Sequence, residues 1–367
     1  MKIIPISIIL KCTAVLALVA GGCGLLAGCA TSKPTSNTAK YAFYPPAPDE
    51  PRLQFLMSYG SAKDLRGAGG ANFTKFLTGE EPPNTPISKP YGGAAVKDNI
   101  YICDTGVGMV LRLDLKARRI YAIAPTGPGA LKLPVNLAVD NNGWRYIVDT
   151  GRNQVVILDE QNTLVGTIGA KGLTEPRDVA LTTDRIYVSD RLNHCVHVYD
   201  KATRANLFDI PRQTDGTNLN AKLFQPINLA VDKEGRVYVA DFGAYRVQVY
   251  DVNGNYLRSV GKNGDNYGEF ARLKGIAVDR ADRLYTVESA GQMVQLFDDT
   301  GRLLMWFGQA NGPMKGMALP SKVFVDYDNV EYFQKYAAPN FQIEHLVIVL
   351  GQYGPNKVNV FGFGHKK

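Results

Sequence analysis

Five segments of this chain align without a gap, and they constrain the fold more than any other feature. They are YICDTGVGMVLRLD (101–114), YIVDTGRNQVVILD (146–159), YVSDRLNHCVHVYD (187–200), YVADFGAYRVQVYD (238–251) and YTVESAGQMVQLFD (285–298). Tyr opens each one. An acid stands three residues later, at Asp104, Asp149, Asp190, Asp241 and Glu288, and Asp114, Asp159, Asp200, Asp251 and Asp298 stand ten residues beyond those acids. Only 19 of 367 residues are Tyr, so five in register are not chance. A short apolar run precedes each segment: GGAAV (92–96), NLAVD (136–140), DVALT (178–182), NLAVD (228–232) and GIAVD (275–279), with KVFVD (322–326) continuing the series. These runs recur about every 42–50 residues, the period of a repeated supersecondary unit.

Each unit reads strand, turn, strand, turn, strand, turn, strand. Gly (37 residues) and turn pairs such as Asn-Asn-Gly, Lys-Glu-Gly and Val-Asn-Gly mark the reversals. Runs such as VVILD and VQLFD are apolar at both parities, so both faces of each sheet must be covered. Sheets stacked radially satisfy this and leave only short protected edges. The expectation is an all-β chain, a six-bladed β-propeller of four-stranded antiparallel blades.

The pattern [IL]AVD…GR[IV]YVAD…RVQV[YF]D…G resembles the NHL repeat, most clearly at 228–261, NLAVDKEGRVYVADFGAYRVQVYDVNGNYLRSVG. The resemblance spans roughly residues 90–364 and implies a propeller used mostly for interaction. The sixth unit departs from it. An insertion from Asp328 to His345 follows its first strand, and no fourth strand follows KVNVFGFG before Lys367. PRLQFLMSYG (51–60) resembles the closing NYLRSVG strand, so the N-terminal segment is expected to complete blade six and close a single domain over 51–364. Residues 61–89 read either as a connector, with a helical turn at NFTKFL, or as a cover over one face.

Residues 1–28 carry Lys2, Lys11 and an apolar run of about 16 residues, shorter than the roughly 20 needed to span a bilayer. The run ends in Leu26-Ala27-Gly28-Cys29, which resembles a bacterial lipobox. This implies cleavage before Cys29 and acylation there, with outer-membrane sorting implied by Ala30. An uncleaved anchor is the other reading. Residues 29–50 are Pro-rich and read as a tether. Without Lys2 and Lys11 the formal charge of +7 becomes +5, a mild excess that reads as a solvated surface or as an aid to contact with anionic lipid headgroups or polysaccharide. No block of Lys/Arg with interleaved aromatics points to nucleic acid. Cys103 and Cys195 remain in the body. They fall in different blades with a blade between them, and are expected to be free thiols.

The repeated acids sit at strand ends, where Asp satisfies backbone N–H groups, and this fits better than a ring of metal ligands. The entrances of the inner strands vary within the constant frame. They collect Asn136, Arg177, Asp178, Asn228, Lys274 and Lys322, with Arg152, Arg191, Phe242 and Tyr245 on nearby loops. Two readings stand: a water-filled polar channel, or a mouth for a carboxylate, a sulfate or an acidic loop. As exposed charges, Arg177, Lys274 and Lys322 would contribute little stability. His194 and His197 lie three apart, on opposite strand faces, and do not form a metal pair. No metal, cofactor or catalytic set is expected. The expected function is an envelope lipoprotein whose propeller binds a protein or glycan. The alternative is a channel-site hydrolase or lyase, resembling the lactonase and amidating-lyase propellers.

Overall fold

The computed structural model describes residues 41–67, 83–169, 172–212, 219–309 and 316–367. The signal segment, Cys29, most of the tether and the NFTKFL stretch lie outside them. Six antiparallel sheets are present, five of four strands and one of five. The inner strands are Pro90–Val96, Pro134–Val139, Pro176–Leu181, Pro226–Val231, Leu273–Val278 and Ala318–Asp326. Each packs against the next, and the sixth packs against the first, so the ring is closed.

Six hydrophobic clusters fill the spaces between neighbouring blades, as both-parity apolar strands demand. Between blades three and four, for example, Val196, Val198 and Tyr187 meet Leu229, Val237 and Tyr250, all buried. Each such side chain contributes about 1.5–3 kcal/mol by leaving water. The Tyr that opens each repeat is buried in every case: Tyr101, Tyr146, Tyr187, Tyr238 and Tyr285. In blades two and five its hydroxyl reaches the acid that ends the inner strand, Tyr146 to Asp140 (3.4 Å) and Tyr285 to Asp279 (3.1 Å).

Blade six joins the two ends of the body. Leu53–Tyr59 pairs with Val358–Lys366, which continues through Phe341–Tyr353 to the inner strand. Its fifth strand, Ala42–Tyr44, falls inside the stretch expected as tether. Tyr44 explains why: it is buried against Phe307 and Phe361, whose ring centroids lie 5.9 and 6.2 Å away. The insertion after Asp326 also differs from expectation, because residues 341–345 extend the second strand and only the stretch before them leaves the sheet. There the helix Val330–Gln334 buries Phe333. Buried Gln54 ties the closing strand to this excursion, accepting from Ala338 N (2.9 Å) and donating to Tyr336 O (3.4 Å). His345, also buried, stacks on Phe363 (4.8 Å) and meets the Tyr285 hydroxyl at 3.1 Å.

The repeated acids hold the backbone of their own turns, Asp104 accepting from Gly106 N, Asp190 from Asn193 N and Glu288 from Ala290 N. They also hold the chain that enters the blade. Asp104 accepts from Ser88 N and Lys89 N, Asp149 from Lys132 N and Leu133 N, and Asp190 from Thr174 N and Glu175 N. Asp241 accepts from Phe224 N, and Glu288 from Ala271 N and Arg272 N. Each acid therefore pins the chain as it enters the inner strand of its own blade. The second series, such as Asp159, Asp251 and Asp298, caps the outer hairpins. Cys103 and Cys195 are free thiols.

Candidate functional site

Every inner strand carries a register shift at the same place, just after the residue that in the first five blades faces the repeated acid and in the sixth faces Gly351. The shifts fall between Pro90 and Gly92, Pro134 and Asn136, Pro176 and Asp178, Pro226 and Asn228, Leu273 and Ile276, and Pro320 and Lys322. A bulge adds one residue to a strand and re-aims its side chains. Here it splits the expected mouth into two rings. The extra residues are Tyr91, Val135, Arg177, Ile227, Lys274 and Ser321. The residues after them are Gly92, Asn136, Asp178, Asn228, Gly275 and Lys322.

The second ring is buried and linked across blades. Asp178 Oδ2 accepts from Leu229 N (2.8 Å), tying blade three to four, and Asn228 Oδ1 accepts from Ile276 N (2.8 Å), tying four to five. Lys322 Nζ reaches across from blade six to both, at 2.9 Å to Asp178 and 3.0 Å to Asn228. Burial raises the Asp178 carboxyl above its ordinary range, while the Lys322 ammonium and the Leu229 and Val179 N–H groups oppose the rise. Asn136 accepts from Leu137 N (3.0 Å), and a Cβ on Gly92 would collide with its Oδ1. Gly275 is equally confined, since a Cβ there would lie 2.7 Å from Lys322 Cα. Asn136, Asp178, Asn228 and Lys322 are therefore not an exposed contact surface. The expectation that Lys322 contributes little stability is corrected by its burial and its two partners.

The first ring gathers charge at the channel mouth. Lys274 is flanked by the rings of Phe242 (5.5 Å) and Tyr91 (5.7 Å). Burial draws its ammonium down to about 8, and Arg272, Arg177 and Arg191 push the same way. Glu175 is shared by Arg177 Nη2 (2.7 Å) and Arg191 Nη2 (2.6 Å). Among the described residues no carboxylate pairs with Lys274 or Arg272. One acid thus faces four cations.

Of the loop residues expected here, Arg191 and Phe242 join this cluster. Arg152 does not, because its Nη1 is spent on Pro128 O (2.9 Å) and Ala130 O (2.7 Å) of the segment that leads into the inner strand of blade two. Tyr245 caps the short helix Phe242–Ala244 in a left-handed conformation (φ 55°) and stays exposed. His194 accepts from Gln225 N (3.1 Å) and stacks on Phe224. Tyr91, Glu175 and Arg272 were missed. Tyr91 occupies the frame position of Arg177 and Lys274, one residue before Gly92, and that alignment was the available signal.

Residues 173–199 match the NHL repeat, and residues 210–306 match a family described as 6-bladed beta-propeller. The chain is a six-bladed β-propeller, and its third repeat matches the NHL family. No curated protein matches it by sequence. Among solved structures it is similar to a gluconolactonase from Xanthomonas campestris, at 16% identity and TM-score 0.56 over 88% of this chain and 94% of that one. A Bacteroides thetaiotaomicron structural-genomics protein matches at 15% identity and TM-score 0.55, over 76% and 70% of the two chains. A virginiamycin B lyase from Staphylococcus aureus matches at 12% identity and TM-score 0.50, over 75% and 84%. At these identities the likeness is one of fold.

Proposed function

We propose that this propeller is a binding module whose mouth captures an anionic group of an envelope protein or glycan. The body is held at the bacterial outer membrane by lipid on Cys29. The observation that carries the reading is Lys274, a half-buried ammonium between two aromatic rings, surrounded by guanidinium groups and lacking a carboxylate. Holding like charges together in a partly dry site costs free energy, and an incoming carboxylate or sulfate offsets that cost with charge-assisted hydrogen bonds. Arg and aromatic side chains are also the types that dominate binding hot spots.

The test is binding of polyglutamate and of heparin to the full chain, followed by fluorescence anisotropy at two salt concentrations. Wild type should bind one of them with a clear salt dependence. Lys274→Met combined with Arg191→Met should weaken it by roughly tenfold or more, since a hydrogen bond to a charged group is worth about 1.5–3 kcal/mol. Unchanged affinity in a variant that melts normally sinks the reading. The tether is tested by the mass of the mature N-terminal peptide, and an unmodified Cys29 removes it from the account.

The same lysine favours a second reading, a lactonase- or lyase-like activity at the mouth. An ammonium drawn down to about 8 supplies some free amine near neutral pH, the form a base or nucleophile requires. Turnover of a lactone or cyclic ester that Lys274→Met abolishes would move the assignment to this reading.

A further inference from the structure

On the outer half of blade three, four chemically active side chains share one face of the sheet. Asp190 pairs in register with Cys195 across the second and third strands, and His197 pairs with Asp209 across the third and fourth. Cross-strand partners share a face, and Cys195 and His197, two apart, share it as well. His197 Nδ1 lies 2.8 Å from Asp209 Oδ1 and 4.0 Å from Cys195 Sγ, and Nε2 lies 3.5 Å from Sγ and 3.7 Å from Asp190 Oδ2. One donor atom each from Cys195, His197 and Asp209 falls within 4.8 Å of both others. The face borders an open depression of about 630 Å³ that reaches Asn193, Phe208 and Arg212.

The other blades show what this position does in the ordinary frame. Gln248 of blade four is fully buried, and its amide holds Asn220 O (2.9 Å) and Lys222 O (2.7 Å). Gln295 of blade five likewise holds Glu269 O (3.0 Å) and accepts from Gly268 N. Both secure the chain entering their blade. His197 occupies the same place in the repeat but turns to a thiol and two carboxylates. The partners opposite Gln248 and Gln295 are Ser259 and Trp306, and the residues two before them are Arg246 and Met293. Blade three alone among these three exchanges a backbone clamp for a sulfur, nitrogen and oxygen donor set.

We propose that Cys195 Sγ, His197 Nδ1 and Asp209 Oδ1 bind a divalent cation of the zinc class on the outer face of blade three. Thiolate, imidazole and carboxylate are the donors that borderline-soft cations take, and three protein ligands leave a fourth position open to solvent. Zinc–sulfur and zinc–nitrogen bonds of about 2.3 and 2.0–2.1 Å set the two donors about 3.5 Å apart in a tetrahedron. The observed 4.0 Å closes by side-chain rotation. Asp209 is half exposed and free to turn. Asp190 then accepts from Nε2–H and orients the imidazole, as outer-shell carboxylates do, and is itself fixed by Thr174 N and Glu175 N. Although burial opposes it, Asp190 and Asp209 hold the free His197 as the imidazolium. Binding therefore releases two protons to solvent, one from the Cys195 thiol and one from Nδ1, and the imidazole ligates in its neutral form.

The test uses the full chain, reduced and metal-free, titrated with Co²⁺ and then displaced by Zn²⁺. The expected result is one equivalent of Co²⁺ with a thiolate-to-cobalt charge-transfer band, and protection of Cys195 from thiol reagents. Cys195→Ser should abolish the band, and Asp209→Ala should weaken binding by about 10–100-fold. Wild type binding no stoichiometric cobalt, or binding without the thiolate band, overturns the proposal. Equal affinity in wild type and Cys195→Ser also overturns it, and would place the ion at the acidic group Asp232, Glu234 and Asp282 instead.

Discussion

The two rings at the channel mouth are built from adjacent residues of the same six strands, yet they have opposite energetics. In the inner ring Asp178, Asn228 and Lys322 satisfy one another and the backbone of the next blade. In the outer ring Arg177 shares Glu175 with the neighbouring Arg191, while Lys274, beside Arg272, pairs with no carboxylate among the described residues. A buried pair tolerates little change, because removing one partner strands the other charge in a dry place. A half-exposed cation cluster tolerates substitution and pays instead in like-charge repulsion, which a ligand can relieve. A one-residue bulge therefore separates what holds the ring together from what can meet a partner.

The sharpest way to break this comparison is to remove one cation from each ring. Lys322→Met should cost about 3–5 kcal/mol in urea denaturation, because Asp178 is left buried without its ammonium. Lys274→Met should cost no more than about 1 kcal/mol, the scale of a lost cation–π contact. Similar losses in both variants would erase the distinction between the rings.

A second test disturbs the inner ring without touching a charge. Gly92→Ala drives a methyl into Asn136 Oδ1 and Val135 O, and should cost about 1–3 kcal/mol. An unaltered melting temperature would mean that the ring is looser than the contacts indicate.

His345, at the blade-six seam and outside both rings, supplies a control on pH. Burial draws its imidazole down to about 4 from an ordinary 6.5. A depressed folded value gives stability that is present above 6.5 and lost as pH falls toward 4. A melting series over that window should decline, and His345→Phe should flatten it. If Lys274→Met flattens it equally, the acid loss does not come from the seam.

The smallest effect sharpens the mouth itself. The Lys274 ammonium gives up its proton near 8, so polyanion affinity should weaken a few-fold as pH rises through 8 and stay level in Lys274→Met. An anion that binds equally at pH 7 and pH 9 does not contact this lysine.

Much of this was legible along the chain. The in-register Tyr, the repeated acids and the both-parity apolar strands required stacked blades, and 51–60 matched a closing strand whose Leu53 and Tyr59 are buried. The mouth was legible only as a list of variable positions. Periodicity assigns a residue to a strand entrance, but the recurrent bulge decides whether it points along the channel wall or out of it. That is why Lys322 and Lys274 looked alike in sequence. Tyr91 stands one residue before the Gly92–Gly93 pair, and the bulge shows that it shares the position of Arg177 and Lys274.

The sequence by itself determined the number of blades, their order and the residues that pack between them, because period and parity are properties of a strand. Only the tertiary structure decided which charges meet. Asp178 and Lys322 are 144 residues apart, and Cys195 and Asp209 come together only through the pairing of two outer strands. A contact of that kind depends on register, bulge and ring closure acting together, and none of the three is written in any single repeat.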